Sequence, residues 1–184
     1  MKIGIDVDGV LADTLHTILS QLNSSWDITK GWYGGLSVED YDAVWEKAKG
    51  IENFWAGMGS LIDTETISVL RAVILTHDVW FITNRFETLG ASPLKQTKFW
   101  LYTEAEVQSP NVVIAKDKGP VAAVLNLDAF VDDNPINCTD VLAARPNAHV
   151  FLADAAHNQT FKDERIPRVK DLKTFLKIIL SEVF

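Results

Sequence analysis

"KIGIDVDGVLAD", residues 2–13, decides the fold. Residues 2–7 are short, rich in Ile and Val and mostly apolar, which predicts a strand buried on both faces, as a parallel sheet requires. The strand runs into two carboxylates, Asp6 and Asp8, followed by Gly9. A strand that ends in two acids puts charge where a fold usually puts core. From about Ala12 the spacing turns helical, with Leu15, Ile18, Leu19 and Leu22 at i, i+3, i+4 and i+7.

The same grammar returns further along. "VWFIT" (79–83) predicts a strand that stops at Asn84-Arg85, and "NVVIA" (111–115) one that stops at Lys116-Asp117-Lys118. "LDAFVDD" (127–133) again ends in two carboxylates, and "HVFLA" (149–153) ends at Asp154. Between them "KQTKFWLY" (95–102) and "GPVAAVLN" (119–126) are helical in composition, Pro120 sitting near a helix start where its missing N–H costs nothing. "DLKTFLKIILSEVF" closes the chain as an amphipathic helix. Strands alternating with helices predict an α/β fold, a central parallel sheet with helices on both faces.

One spacing is irregular. The first strand ends near Asp8 and the second starts near Val79, whereas a direct crossover takes about a dozen residues. The excess reads as an insertion, giving a core of residues 1–14 and 76–184 and a helical subdomain of residues 15–75. The insertion holds a helical pattern over 38–49 with Ser37 as N-cap, a glycine-punctuated loop "NFWAGMGSL", and a second helical stretch over 63–75. It also carries Trp26, Trp32, Trp45 and Trp55, with Tyr33, Tyr41 and Phe54.

The 184 residues, 47% hydrophobic and 23% charged, suit one globular domain with a small insertion. A net charge of -8 argues against polymeric nucleic acid, whose binding needs clustered Lys and Arg. It leaves room for a small phosphate ligand if a bound cation reverses the local field. Cys138 alone makes no intrachain disulfide, the start shows no leader pattern, and no window approaches the ~20 apolar residues of a membrane span. The expectation is a soluble, cytoplasmic protein without a membrane partner.

In open α/β sheets ligands sit beyond the carboxyl ends of the strands. Here those ends carry Asp6 and Asp8, Thr83 and Asn84, Lys116 or Lys118, and Asp132 and Asp133. Each piece alone has a bland reading, since Asp-x-Asp and "DDNP" are ordinary turn chemistry and a Lys after a strand is usually solvated. Together they predict carboxylates that would repel one another unless a hard cation joined them, hence a Mg2+ site with an anion beside it.

"DVDGVLAD", "FITNR", "KDKG" and "VDDNP" resemble the four motifs of the haloacid dehalogenase (HAD) superfamily of phosphohydrolases, over residues 1–14 and about 76–184. The insertion falls between the first two motifs, where that superfamily carries a C1-type cap. More narrowly, "DVDGVLAD", "FW" ahead of a glycine-rich turn, "HDVWFITNR" and "KDKG" shortly before "VDD" resemble the 5'(3')-deoxyribonucleotidase family. The resemblance implies a Rossmann-like three-layer core and a Mg2+-dependent phosphomonoesterase acting on nucleoside monophosphates.

It implies roles as well. Asp6 would be the nucleophile that forms an aspartyl-phosphate, and Asp8 the acid for the leaving alkoxide and then the base for water. Gly9 lets the chain turn away from the strand. Thr83 and Asn84 would hold phosphoryl oxygens, and Lys118 would neutralise nucleophile and phosphate, with Lys116 the alternative. Asp6, the Asp8 carbonyl and Asp132 would ligate Mg2+, and Asp133 would ligate through water or orient Lys118.

Arg85, at the end of "FITNR", reads as the start of a surface helix, with contact to phosphate or base as the alternative. Tyr41, Val44, Trp45 and Ala48 have the spacing of the insertion's own core. Phe54, Trp55 and then Trp32 and Tyr33 are the candidates for contact with a base. His16, His77, His149 and His157 are not spaced as a metal set, and Cys138 has no evident base partner. Two rivals remain: the same chemistry on a sugar phosphate or another small phosphomonoester, and a nucleotide-binding module with little turnover. The base, the 5' or 3' preference and a homodimer are left open.

Overall fold

The computed structural model describes residues 1–22, 27 and 35–181. Six parallel strands form its sheet: β1 (Lys2–Ile5), β4 (Asp78–Thr83), β5 (Asn111–Ile114), β6 (Ala129–Asp132), β7 (His149–Ala153) and β8 (Arg168–Val169), the two intervening strands forming a separate antiparallel pair. They lie in the order β5-β4-β1-β6-β7-β8. The central strand β1 pairs with β4 (Ile3 opposite Val79) and with β6 (Ile3 opposite Ala129). The chain therefore builds outward through β4 and β5, then returns to the other side of β1. The strand order reverses beside Asp6, the place where such sheets leave a crevice for ligands.

Period-two alternation sorts the strands' side chains onto two faces. Ile3, Ile5, Val79, Phe81, Ala129, Val131 and Phe151 share one core with helices α3 (Thr64–Thr76), α4 (Pro93–Thr103) and α7 (Leu172–Ser181). Ile82, Phe130, Val150 and Leu152 share the other with α5 (Lys118–Leu125) and α6 (Pro135–Ala144). The sequence reading gains two elements here. β8 is a two-residue strand, too short to show a period. Helix α6 starts where Asn134 caps the Ile136 N–H (3.0 Å) and Pro135 takes the first position, so "DDNP" is a helix start as well as a turn.

The segment between β1 and β4 holds β2 (Ala12–Asp13), α1 (Thr14–Leu22), α2 (Val38–Lys49), a 3-10 turn (Phe54–Gly57), β3 (Gly59–Ser60) and α3. Ser37 caps α2 by accepting the Asp40 N–H (3.1 Å). β2 and β3 pair antiparallel. Helix α3 lies against α7 in the sheet's own helical layer, with Lys173 bonded to Asp63 and Glu65 and Lys177 to Glu65. Trp26, Trp32 and Tyr33 fall outside the described residues.

Residues 49–58 are clasped to the core loop that follows β4. Asn53 donates to the Leu89 carbonyl (2.7 Å), and Leu89 to that of Lys49 (3.1 Å). The Trp55 N–H meets Gln96 Oε1 (2.9 Å), the Trp55 indole the Phe86 carbonyl (2.8 Å), and the Trp100 indole the Met58 carbonyl (2.8 Å). No helix among the described residues is long and apolar enough to cross a membrane.

Candidate active site

Asp6 follows β1 directly, anchored by its N–H to the Val131 carbonyl (3.0 Å). The chain then turns hard: the Val7 carbonyl accepts from Leu11 and Ala12 (2.9 and 2.8 Å). Gly9 makes the turn possible twice over. Its φ is +85°, and a Cβ there would lie 2.0 Å from Asp133 Oδ2.

Lys118, at the start of α5, is 2% exposed and bridges Asp6 Oδ1 (2.5 Å) and Asp132 Oδ2 (2.6 Å). Lys116 is exposed on the cavity rim, so Lys118 is the lysine that meets the acids. Asp132 is fully buried and also accepts from the Asn134 N–H (2.8 Å) and Asn137 Nδ2 (3.0 Å). Lys118 is thus oriented by Asp132, and the expectation that Asp133 orients it is corrected. Asp133 is held through its backbone instead: its carbonyl lies 3.0 Å from His157 Nε2 and accepts from Asn158 Nδ2 (2.8 Å). Neither His157 nor Asn158 stood out in the sequence, because the turn after β7 carries no motif.

Asp6, Asp132 and Asp133 each offer an oxygen within 4.8 Å of the others. Burial pushes the Asp6 carboxyl up to about 8; Asp132 adds to the push and Lys118 offsets only part of it. Burial and the neighbouring Asp132 and Asp6 likewise raise Asp133 well above the carboxylate range. Lys118 is raised too: burial would lower it, but Asp132 and Asp6 outweigh that and fix it as a cation. With Asp8 and Arg85 included, four carboxylates face two cations. Buried hard oxygens with a surplus of negative charge fit a divalent cation such as Mg2+, which would supply the missing positive charge.

Asp8 lies at the edge of this cluster. Its Oδ1 accepts from Thr14 Oγ1 (2.7 Å) and Arg85 Nη2 (2.8 Å), and its Oδ2 from Thr83 Oγ1 (2.6 Å) and Arg85 Nε (3.0 Å). Burial works to raise the Asp8 carboxyl, but the Arg85 charge and these hydrogen bonds prevail and hold it below its ordinary value. The expectation of a surface Arg85 is overturned. The side chain is buried because Asp8, Thr97 and the Trp55 ring satisfy it (Nη1 to Thr97 Oγ1 3.1 Å; guanidinium 5.0 Å from the ring centroid). Thr83, expected on phosphoryl oxygens, donates to Asp8 in this state; Asn84 is exposed at the cavity.

A cavity of about 850 Å3 opens over these groups, with Asp6, Asp8, Thr83, Lys118 and Asp133 on its floor. Its opposite wall is aromatic. Tyr41, Trp45, Trp55 and Phe86 line it, with Trp45 at 6.0 Å from Tyr41, 6.2 Å from Trp55 and 5.6 Å from Phe86 between ring centroids. Here the sequence reading is extended at α2 and corrected at Phe54. Val44 and Ala48 are buried, and Tyr41 and Trp45, packed against the same core as their spacing predicts, line the cavity as well. Phe54 is 1% exposed and packs beneath Trp55 rather than lining the cavity. His16 is not on the lining, and Cys138 is buried behind Asp132 with its thiol pushed up by burial.

No protein-family model matches the chain, and no curated protein matches its sequence. Solved structures do. The chain is similar to D,D-heptose 1,7-bisphosphate phosphatase from B. bronchiseptica, complexed with magnesium and phosphate (TM-score 0.57, 14% identity, 100% of each chain covered). It is similar to a haloacid dehalogenase-like hydrolase from Burkholderia xenovorans (TM-score 0.60, 11% identity, 98% of this chain and 96% of the other). It is also similar to L-2-haloacid dehalogenase from Xanthobacter autotrophicus with chloropropionic acid covalently bound (TM-score 0.54, 11% identity, 99% of each). The fold is that of the HAD-superfamily hydrolases. The four strand ends that carry the sequence motifs open into one cavity of this HAD-like sheet.

Proposed function

We propose that the chain is a Mg2+-dependent phosphomonoesterase. The observation that carries this reading is the pair Asp6 and Lys118 on the floor of one cavity, with Asp8 beside them and the buried Asp132 bonded to Lys118 from behind. The phosphatase among the similar folds supports it.

In the proposed reaction an Asp6 oxygen attacks phosphorus and the bond to the leaving oxygen breaks, while Asp8, a carboxylate at rest, relays the proton of the phosphate monoanion to that oxygen. Water then attacks the aspartyl-phosphate, Asp8 takes its proton, and phosphate leaves as Asp6 is restored. Lys118 balances charge on Asp6 and on the phosphoryl group. Thr83 and Asn84, both on the cavity, would hold phosphoryl oxygens in this reading. Mg2+, held by Asp6, Asp132, Asp133 and the Asp8 carbonyl, would screen phosphate charge from the carboxylates.

Residues 15–75 are the cap in this reading, with α1 and α2 facing the cavity and α3 tied to the core. The preferred substrate is a nucleoside monophosphate, a deoxyribonucleotide first, because Tyr41, Trp45 and Trp55 offer flat apolar area to a base. A sugar phosphate is the second reading, favoured by the heptose bisphosphatase among the similar folds. The lone buried Cys138 suits a reducing, cytoplasmic setting. Phosphate release measured across nucleotides, sugar phosphates and an aryl phosphate tests the reading. The expected result is Mg2+-dependent release that vanishes in Asp6→Asn and favours nucleotides in kcat/KM; wild-type turnover by Asp6→Asn removes the mechanism, and equal kcat/KM for all substrates removes the base pocket.

A further inference from the structure

We infer that Arg85 is the positioning residue of Asp8, fixing the plane in which its carboxyl meets the leaving group. The inference rests on the phosphomonoesterase reading above, with Asp8 as acid. Thr14 and Thr83 each hold one oxygen of Asp8 by a single rotatable hydroxyl. Arg85 alone holds both, through Nε and Nη2, and a planar fork on two oxygens defines an orientation that a point contact does not.

Arg85 is itself anchored. Its third nitrogen, Nη1, donates to Thr97 Oγ1 (3.1 Å), and Thr97 donates to the Pro93 carbonyl (2.8 Å) at the start of α4. Its guanidinium lies 5.0 Å from the centre of the Trp55 ring, which is pinned in turn by the Phe86 carbonyl. The side chain is 3% exposed and is not part of the cavity lining, so it acts through Asp8. The fork holds Asp8 as a carboxylate, so the proton it hands to the departing oxygen arrives with the phosphate monoanion, and the fork takes up the charge again once that proton has passed. When water later attacks the phosphoenzyme, the proton returns to an Asp8 that has kept its place.

An ion pair that served stability alone would be indifferent to the leaving group. A positioning role for the acid is not, because an alkoxide needs a proton to depart and para-nitrophenolate leaves almost unaided. The test compares Arg85→Lys, which keeps the charge and loses the fork, with Thr97→Val, which frees Arg85 from its anchor. A nucleoside monophosphate and para-nitrophenyl phosphate are the substrates, and each variant's thermal melt is recorded.

The expected result for Arg85→Lys is a kcat on the nucleotide lowered about 100-fold, against less than about tenfold on the aryl ester, with KM little changed. Thr97→Val is expected to show the same asymmetry more weakly, and it decides the matter if Arg85→Lys does not fold. Equal losses on both esters, or unchanged kcat on both, overturn the inference while the wild type's own activity upholds the phosphatase reading. A wild type that releases phosphate from no ester overturns that reading and the inference with it.

Discussion

At the strand ends Asp6, Asp132 and Lys118 are buried and bonded to one another at 2.5–2.6 Å, whereas across the cavity Tyr41 and Trp45 are only half covered and meet their neighbours through ring contacts of 5.6–6.2 Å. The floor is stiff because charge desolvated in a fold must be paired. The wall is compliant because dispersion and ring contacts tolerate rearrangement. Under the proposed reaction the contrast would assign bond breaking to the floor and choice of leaving group to the wall.

Removing Lys118 breaks the floor outright. Lys118→Met leaves Asp6 and Asp132 facing each other without their cation; the expected outcome is loss of phosphate release together with a stability loss of about 3–5 kcal/mol in chemical denaturation. A variant as stable as the wild type would show that the floor does not depend on this pairing. Trimming the wall gives the complementary result. Trp45→Ala is expected to raise KM for a nucleotide about tenfold and to leave kcat and the KM for a minimal aryl phosphate nearly unchanged. If kcat falls equally on both substrates, wall and floor are not separable.

A third measurement reads the floor's charge surplus. The Asp6 carboxyl sits at about 8 in the folded chain, above the ~3.9 of an unfolded Asp, and Asp133 is shifted in the same direction. Their contribution to stability is therefore present at low pH and lost as pH rises through 8. The metal-free protein is expected to melt several degrees lower at pH 9 than at pH 6, and millimolar Mg2+ to narrow that gap. A melting temperature that rises over this interval without metal would contradict the assigned surplus. The smallest effect lies far from the cavity. Lys177→Met removes one partner of exposed Glu65, and its melt should differ from wild type only slightly and less still at high salt. A large, salt-insensitive drop would mean that α3 depends on this pair.

The floor was legible in the sequence because its parts end strands. Asp6, Asp8, Thr83, Lys118, Asp132 and Asp133 each follow an apolar run, and parallel topology brings such ends together. Arg85 was not legible, since its partner Asp8 lies 77 positions away and a polar residue after a strand looks solvated. Tyr41 and Trp45 show the limit of periodicity. A 3.6-residue stripe tells that one helix face is apolar, but not whether core or a cavity lies against it. Helix α6 was readable from Asn134-Pro135, had that pair been taken as cap and first turn rather than as a bend. His157 and Asn158 gave no local signal, because their role is to hold a backbone carbonyl across the crevice.

The clasp on residues 49–58 bears on how molecules enter and leave. Prising that segment from the loop after β4 would sacrifice the bonds of Asn53, Trp55 and Trp100, each worth about 0.5–1.5 kcal/mol. The clasp therefore fixes the Trp55 side of the cavity, and α1 is tied down as well, by Thr14 to Asp8 and by Thr17 to the Gly59 N–H. The dwell time of a product would then follow how tightly the rings of α2 settle against Trp55 and Phe86.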